Sequence, residues 1–218
     1  MSQQTNQRTA LQLSQAKKPW LVMVAVICIA FLTPGCVSAP PENLDNICKI
    51  FEEKDDWYEE AKASADKWGT SIPVLMAIIH QESKFEADIK PDFEWFLIVP
   101  LGRPSSAYGY SQALDDTWDG YIKSSGNWGA DRDEFDDAID FIGWYNATSY
   151  RRNNIKRNDA YHLYLAYHEG HGGFERRTFK NKAWLKKVAK KVSARATKYK
   201  KQYWGCAERL KEDTGWFF

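Results

Sequence analysis

The sequence predicts a mainly α-helical domain with one small loop or β-hairpin insert, and three observations lead there. After residue 45, apolar residues recur at three- and four-residue steps through most of the chain. Glycine, proline and capping residues separate these periodic runs by short turns. One stretch, residues 86–107, carries few helix signals and holds an apolar run, Phe93 to Leu101, interrupted by Pro100 and followed by Gly102 and Pro104. Helices joined by short turns must bury their apolar stripes on one another, which gives a single core.

The elements follow in order. Residues 1–35 read as an export leader of the lipoprotein type: polar and basic residues through Lys18, then the 13-residue apolar run Trp20 to Leu32, then Thr33-Pro34-Gly35-Cys36. That run is short for a bilayer span and suits a signal-peptide core. Gly35-Cys36 resembles a bacterial lipobox, which would make Cys36 the lipidated first residue of the mature protein, although Leu32 is one place early and Pro34 is unusual there. Residues 36–44 form a linker, and residues 45–218 the folded domain.

From Asp45, a helical pattern runs through Ile47, Ile50, Phe51, Trp57, Tyr58, Ala61, Ala65 and Trp68, with Gly69 stopping it. Ser71 can cap the next helix, whose first turn tolerates Pro73. A short helix with Trp118 and Tyr121 comes next. Asp131 to Arg151 forms a helix with the apolar stripe Phe135, Ala138, Ile139, Ile142 and Tyr145, and Asp159 can cap a helix running through His168 to Gly170. The last helical segment, Arg176 to Lys201, has twelve basic and no acidic residues around the stripe Trp184, Leu185, Val188, Val192, Tyr199 and Tyr203. Its cationic face is either simply solvated or attracted to an anionic polymer or membrane surface.

Charge is nearly balanced at +1, and without Arg8, Lys17 and Lys18 of the leader 27 basic residues stand against 29 acidic ones. That balance argues against a protein built mainly to hold nucleic acid. With Cys28 in the leader core and Cys36 as the lipid site, Cys48 and Cys206 remain as a pair for an oxidising compartment, or as two free thiols. Their bridge would be worth about 4 kcal/mol in the chain-entropy view.

The chemistry centres on Ala77-Ile78-Ile79-His80-Gln81-Glu82-Ser83-Lys84-Phe85. Leu75, Ile78 and Ile79 share a helical face, and Glu82 falls on it, so a carboxylate ends an apolar stripe. Desolvation there raises a carboxyl pKa and makes a proton donor usable near neutral pH. The alternative is a surface glutamate where the stripe runs out into solvent.

Three stretches together resemble the lytic transglycosylase domain of bacterial cell-wall enzymes, the soluble-type family with a fold related to goose-type lysozyme. They are Glu82-Ser83-Lys84-Phe85, Gly109-Tyr110-Ser111-Gln112 and Ala166-Tyr167-His168-Glu169-Gly170. The family has Leu-Met where Tyr110-Ser111 stand and Asn-Ala where His168-Glu169 stand. Tyr145-Asn146-Ala147 partly imitates the third motif.

The resemblance implies a lysozyme-like helical domain that cleaves the MurNAc–GlcNAc β-1,4 bond of peptidoglycan without water, leaving 1,6-anhydroMurNAc ends. It makes Glu82 the acid and then the base. Ser83 would orient the N-acetyl group or the acid, and Gln112 would bind sugar. Gly109 would let backbone approach the sugar, and Tyr167 would hydrogen-bond near Glu82. Tyr110, Tyr145 and His168 join them as glycan-groove residues.

No cofactor or metal is expected. The partners are glycan strands and, through the lipid, a membrane, with no nucleic acid. The place is the periplasmic envelope, lipid-anchored to the outer membrane. Three rivals stand beside this reading: a hydrolytic muramidase using Glu169 or Asp115-Asp116 as second carboxylate, a metal site at His168-Glu169-Gly170-His171, and a non-catalytic glycan-binding lipoprotein.

Overall fold

A computed structural model describes residues 38–92, 94–96, 99–102 and 105–214. The leader, Cys28 and the lipid site at Cys36 lie outside the described residues.

The fold is mainly α, as expected. Its helices are α1 (Ile47–Glu53), α2 (Trp57–Trp68), α3 (Ile72–Ser83), α4 (Asp115–Ser125), α5 (Phe135–Asn153), α6 (Ala160–Glu175) and α7 (Ala183–Thr214). A 3-10 turn, Thr178–Asn181, joins α6 to α7. The expected insert is a hairpin of β1 (Glu94–Phe96) and β2 (Val99–Gly102), antiparallel, with a bulge between Glu94 and Trp95.

The expected single helix from residue 45 to Trp68 is two helices, broken at Lys54–Asp56. Apolar spacing runs through the break without a phase change, so periodicity could not reveal it. The bend brings Phe51 edge-on to Tyr58, with ring centroids 5.6 Å apart. Gly69 ends α2 in the left-handed conformation, as expected. Ser71 sits at the start of α3 but makes no side-chain cap; its backbone N–H instead donates to Asn158 Oδ1 at 2.9 Å.

Helix α3 is the centre of the domain, touching α2, α5, α6 and α7. Ile72 through His80 are all buried, so α3 is apolar on every face rather than striped. Gln81 and Glu82 are the first half-open residues along it. The helix carries the acid out of the core at its last turn.

That turn is held rigidly. Lys84 and Phe85 both have positive φ, 55° and 64°, a conformation that costs an L-residue about 1–2 kcal/mol. Phe85 is fully buried against Trp57 and His80, and its N–H donates to Ser83 Oγ at 3.2 Å. Packing and one hydroxyl thus offset the strain and fix the direction in which Glu82 points.

Helix α7 closes the other side, burying Leu185, Ala189, Val192, Ala196 and Tyr199. Cys48 and Cys206 are bonded, tying α1 to α7 across a separation of 158 residues. Trp184, expected in the apolar stripe of α7, is 55% exposed instead.

Candidate active site

Glu82 leaves α3 facing α6. It is half-buried, and desolvation pushes its carboxyl pKa up to about 7, partly offset by a hydrogen bond from the Tyr164 hydroxyl and by the charge of Lys84. At neutral pH such a group is divided between acid and carboxylate, which suits a residue that must both give and take a proton. His80, two residues back, is 7% exposed; burial, then the charges of Arg195 and Lys84, push its pKa down to about 3, so it stays neutral.

Tyr164 and Tyr167 stand one turn apart on α6, on the same face. Tyr164 is buried and donates to Glu82, and desolvation followed by the Glu82 charge raises its own pKa. The Tyr167 hydroxyl donates to the backbone carbonyl of Ser111 at 2.6 Å, and its pKa is raised by burial and then by the charge of Glu82. Sequence reasoning gave the Glu82 contact to Tyr167 and missed Tyr164. The i, i+3 spacing from Tyr167 was the signal available. Tyr167 joins the Glu82 helix end to the second motif.

Tyr145 belongs to this cluster. Its ring meets Tyr167 at 5.0 Å and stacks on His171 at 4.2 Å, and its hydroxyl donates to the carbonyl of Ala166 at 3.2 Å. His171 Nε2 lies 3.1 Å from Ser149 Oγ, and burial lowers its pKa. The partial copy at Tyr145-Asn146-Ala147 therefore supports the third motif from α5.

Four other expected site residues serve the scaffold. Ser83 Oγ is committed to backbone, donating to Ile79 O at 3.4 Å and accepting from Phe85 N–H. Gly109 has φ 73°, and a Cβ there would stand 2.0 Å from the carbonyl oxygen of Arg132. The close approach it permits is thus to protein backbone. Tyr110 is 1% exposed between Trp57 and Phe135, each 5.7 Å away edge-on, so it fills the core and cannot line a groove. Gln112, with φ 51°, donates its amide to the carbonyls of Ile89 at 3.0 Å and Gly109 at 2.9 Å, bracing the turn. Its donor is spent on protein.

Glu169 and its neighbours form a second polar group. The Glu169 side chain is 2% exposed and takes hydrogen bonds from Lys182 Nζ at 2.7 Å and from the Thr178 hydroxyl, with His168 Nδ1 at 3.2 Å. Desolvation raises its pKa, but these partners outweigh it and hold the group below the ordinary range. His168 is exposed and meets the ring of Trp184 edge-on at 5.1 Å, so the two form an aromatic ledge beside the third motif. Gly170, at φ 72° and ψ 157°, breaks α6 where the sequence predicted its end, and helical turns resume beyond it. His168 and His171 fall on either side of this break with different partners. Of the remaining carboxylates considered, Asp115 pairs with Arg132 at 2.8 Å and Asp116 is exposed.

A perturbed glutamate at the end of a buried helix, tied by tyrosines to the second and third motifs, is the arrangement just described, and a family model, the transglycosylase SLT domain, matches residues 23–206. The chain belongs to this family. Searches among curated proteins and among solved structures found no match. Family membership gives the SLT domain its activity class, peptidoglycan lytic transglycosylase, and its polymer, the glycan strands of the cell envelope.

Proposed function

We propose that this SLT domain cleaves the MurNAc–GlcNAc β-1,4 bond non-hydrolytically with Glu82 as its single acid and base. The observation that carries the reading is the half-buried Glu82 with its pKa near 7 and a tyrosine hydroxyl as its partner. Protonated Glu82 gives its proton to the glycosidic oxygen as the bond to the anomeric carbon breaks. The N-acetyl carbonyl of the same sugar stabilises the positive charge, a task that a second carboxylate performs in most glycosidases. Glu82, now a carboxylate stabilised by Tyr164, takes the proton of the MurNAc 6-hydroxyl as that oxygen attacks the anomeric carbon. The 1,6-anhydro ring closes and no water is consumed.

Tyr145 and Tyr167 brace the Glu82 side of α6 from within, and the exposed His168 with Trp184 offers a stacking ledge for a sugar ring. Glu169 is a poor general base for a hydrolytic route, because Lys182 and Thr178 each hold one of its oxygens and lower its basicity. Digestion of purified sacculi, with mass analysis of the sugar ends, tests the reading. Anhydro ends, lighter by one water than hydrolysed ends, are expected; reducing MurNAc ends as the primary product, or full activity of Glu82→Gln, would overturn it.

The leader and Cys36 fit the same reading: export, then lipidation, would hold the domain beside its polymer at the outer membrane. Mass spectrometry of the mature N-terminus checks this, with a diacylglyceryl group on Cys36 as the expected result and a lipid-free start elsewhere as the contrary one.

A further inference from the structure

We propose that the outer face of α7 is a docking surface for an anionic phospholipid bilayer, a membrane contact distinct from any lipid carried at Cys36. At 100° per residue, Lys187, Lys190, Lys191, Lys198 and Lys201 fall within about a third of the helix circumference, opposite buried Leu185, Ala189, Val192 and Ala196. All five are exposed, and the row is about 21 Å long at 1.5 Å per residue. Between Arg176 and Lys201 the sequence has no acid. Among the described residues only Lys198 of the five has an acidic partner, Asp45 at 3.5 Å, and Arg195 already holds that carboxylate at 2.7 Å.

The shape of the patch identifies its partner. A straight row of ammonium groups on flexible stems has no fixed fork for one carboxylate or phosphate, but it matches a plane of diffuse negative charge. Between Lys187 and Lys201 the one aromatic residue, Tyr199, is buried, and the exposed Trp184 stands a turn before the row against His168, so the row itself lacks the succession of rings on which single-stranded nucleic acid stacks. Beside it a 450 Å³ depression, lined by Lys84, Lys191, Arg195 and Lys198 against the single carboxylate Asp45, has room for a phosphate headgroup. The N-terminal segment is fastened to the same helix: the Tyr199 hydroxyl donates to the carbonyl of Leu44, and Gln202 Nε2 donates to Asp45 O at 3.0 Å. Ser38, the first described residue, is thus at most about 24 Å of extended chain from α7. A chain held at the membrane ahead of Ser38 would keep α7 within that reach of the lipid.

The test uses the full chain and a variant with all five lysines changed to glutamine, sedimented with vesicles of phosphatidylcholine alone or with 30% phosphatidylglycerol. Each lysine is worth about five-fold near an anionic surface, so the variant should lose at least about 100-fold of the binding that phosphatidylglycerol adds. The added binding of the wild type should fall as NaCl rises from 0.05 to 0.5 M. Binding to neutral vesicles, which reports residues 1–35, should be the same for both chains. A five-arginine variant should bind as the wild type does, and if the glutamine variant fails to fold, the salt and lipid-fraction dependence of the wild type decides. Equal phosphatidylglycerol dependence in wild type and glutamine variant would overturn the proposal. So would a lysine requirement seen only on isolated sacculi or on duplex DNA.

Discussion

Glu82 and Glu169 are two glutamates of one domain with restricted access to water, yet their carboxyl pKa values are pushed in opposite directions. Glu82 has a tyrosine hydroxyl and a distant lysine, and desolvation wins. Glu169 has an ammonium at 2.7 Å, a threonine hydroxyl and a histidine, and the partners win. Burial alone therefore does not mark an acid; what decides is whether the surroundings supply charge-assisted hydrogen bonds. One glutamate is thereby suited to proton transfer, as proposed above, while the other fastens the end of α6 to the segment that leads into α7.

The comparison breaks most sharply at Glu82. Glu82→Gln keeps the shape and removes the proton, so cleavage of sacculi should fall at least about 10³-fold while circular dichroism stays unchanged. The same variant has a signature in stability. The Glu82 carboxyl titrates near 7 in the fold and near 4.5 when unfolded, so the unfolded chain ionises first. Wild-type stability thus declines as pH rises from about 4.5 to about 7, and denaturant melts of Glu82→Gln should lack that decline. If the two pH curves are parallel, the raised pKa is wrong.

Removing the Tyr164 donor from Glu82 sharpens the contrast further. Tyr164→Phe takes away a hydrogen bond to the carboxylate, and kcat should drop about ten-fold. Because this bond lowers the Glu82 pKa, its loss should move the alkaline limb of the activity profile to higher pH. A limb that stays in place would mean Tyr164 only packs.

Much of the fold was legible because helices announce themselves by period and caps. Gly69, Asp159 and Gly170 stand where the sequence placed helix boundaries. The break between α1 and α2 was not legible, since apolar spacing continues through it. Of the proposed site, Glu82 stands at the end of an apolar run, but that place alone fits a surface glutamate as well, and only the ordered motifs after it single it out. The roles of its neighbours could not be read, because a motif does not say whether a side chain faces substrate or scaffold. Gly109 meets the carbonyl of Arg132 and Tyr110 packs edge-on between Trp57 and Phe135, both contacts from distant segments, while Ser83 braces a left-handed turn whose Phe85 is buried against Trp57. Tyr164 went unnoticed because it precedes the motif, and Lys182 because a lysine in a basic run gives no sign of which carboxylate it meets.

The smallest expected effects lie at Glu169, and they test the comparison from its other side. Glu169→Gln should leave sacculus cleavage within about three-fold, because the group is a structural anion; a loss as large as that of Glu82→Gln would restore the two-carboxylate, hydrolytic reading. Lys182→Met removes the cation and leaves the carboxylate to Thr178 and His168. Because Lys182 is 42% exposed, water compensates part of the loss, and about 1–2 kcal/mol of stability should go, below the cost of breaking a fully buried pair. The pH dependence runs opposite to that at Glu82. Glu169 has a folded pKa below the ordinary value, so its pairing stabilises the domain above about pH 4.5 and the benefit fades as pH falls through the lowered value. The gap between wild-type and Lys182→Met denaturation midpoints should therefore be full at pH 7 and shrink at pH values below 4, where protonated Glu169 no longer needs the ammonium. A gap that persists unchanged in acid would assign Lys182 a packing role instead, through its aliphatic stem against α6.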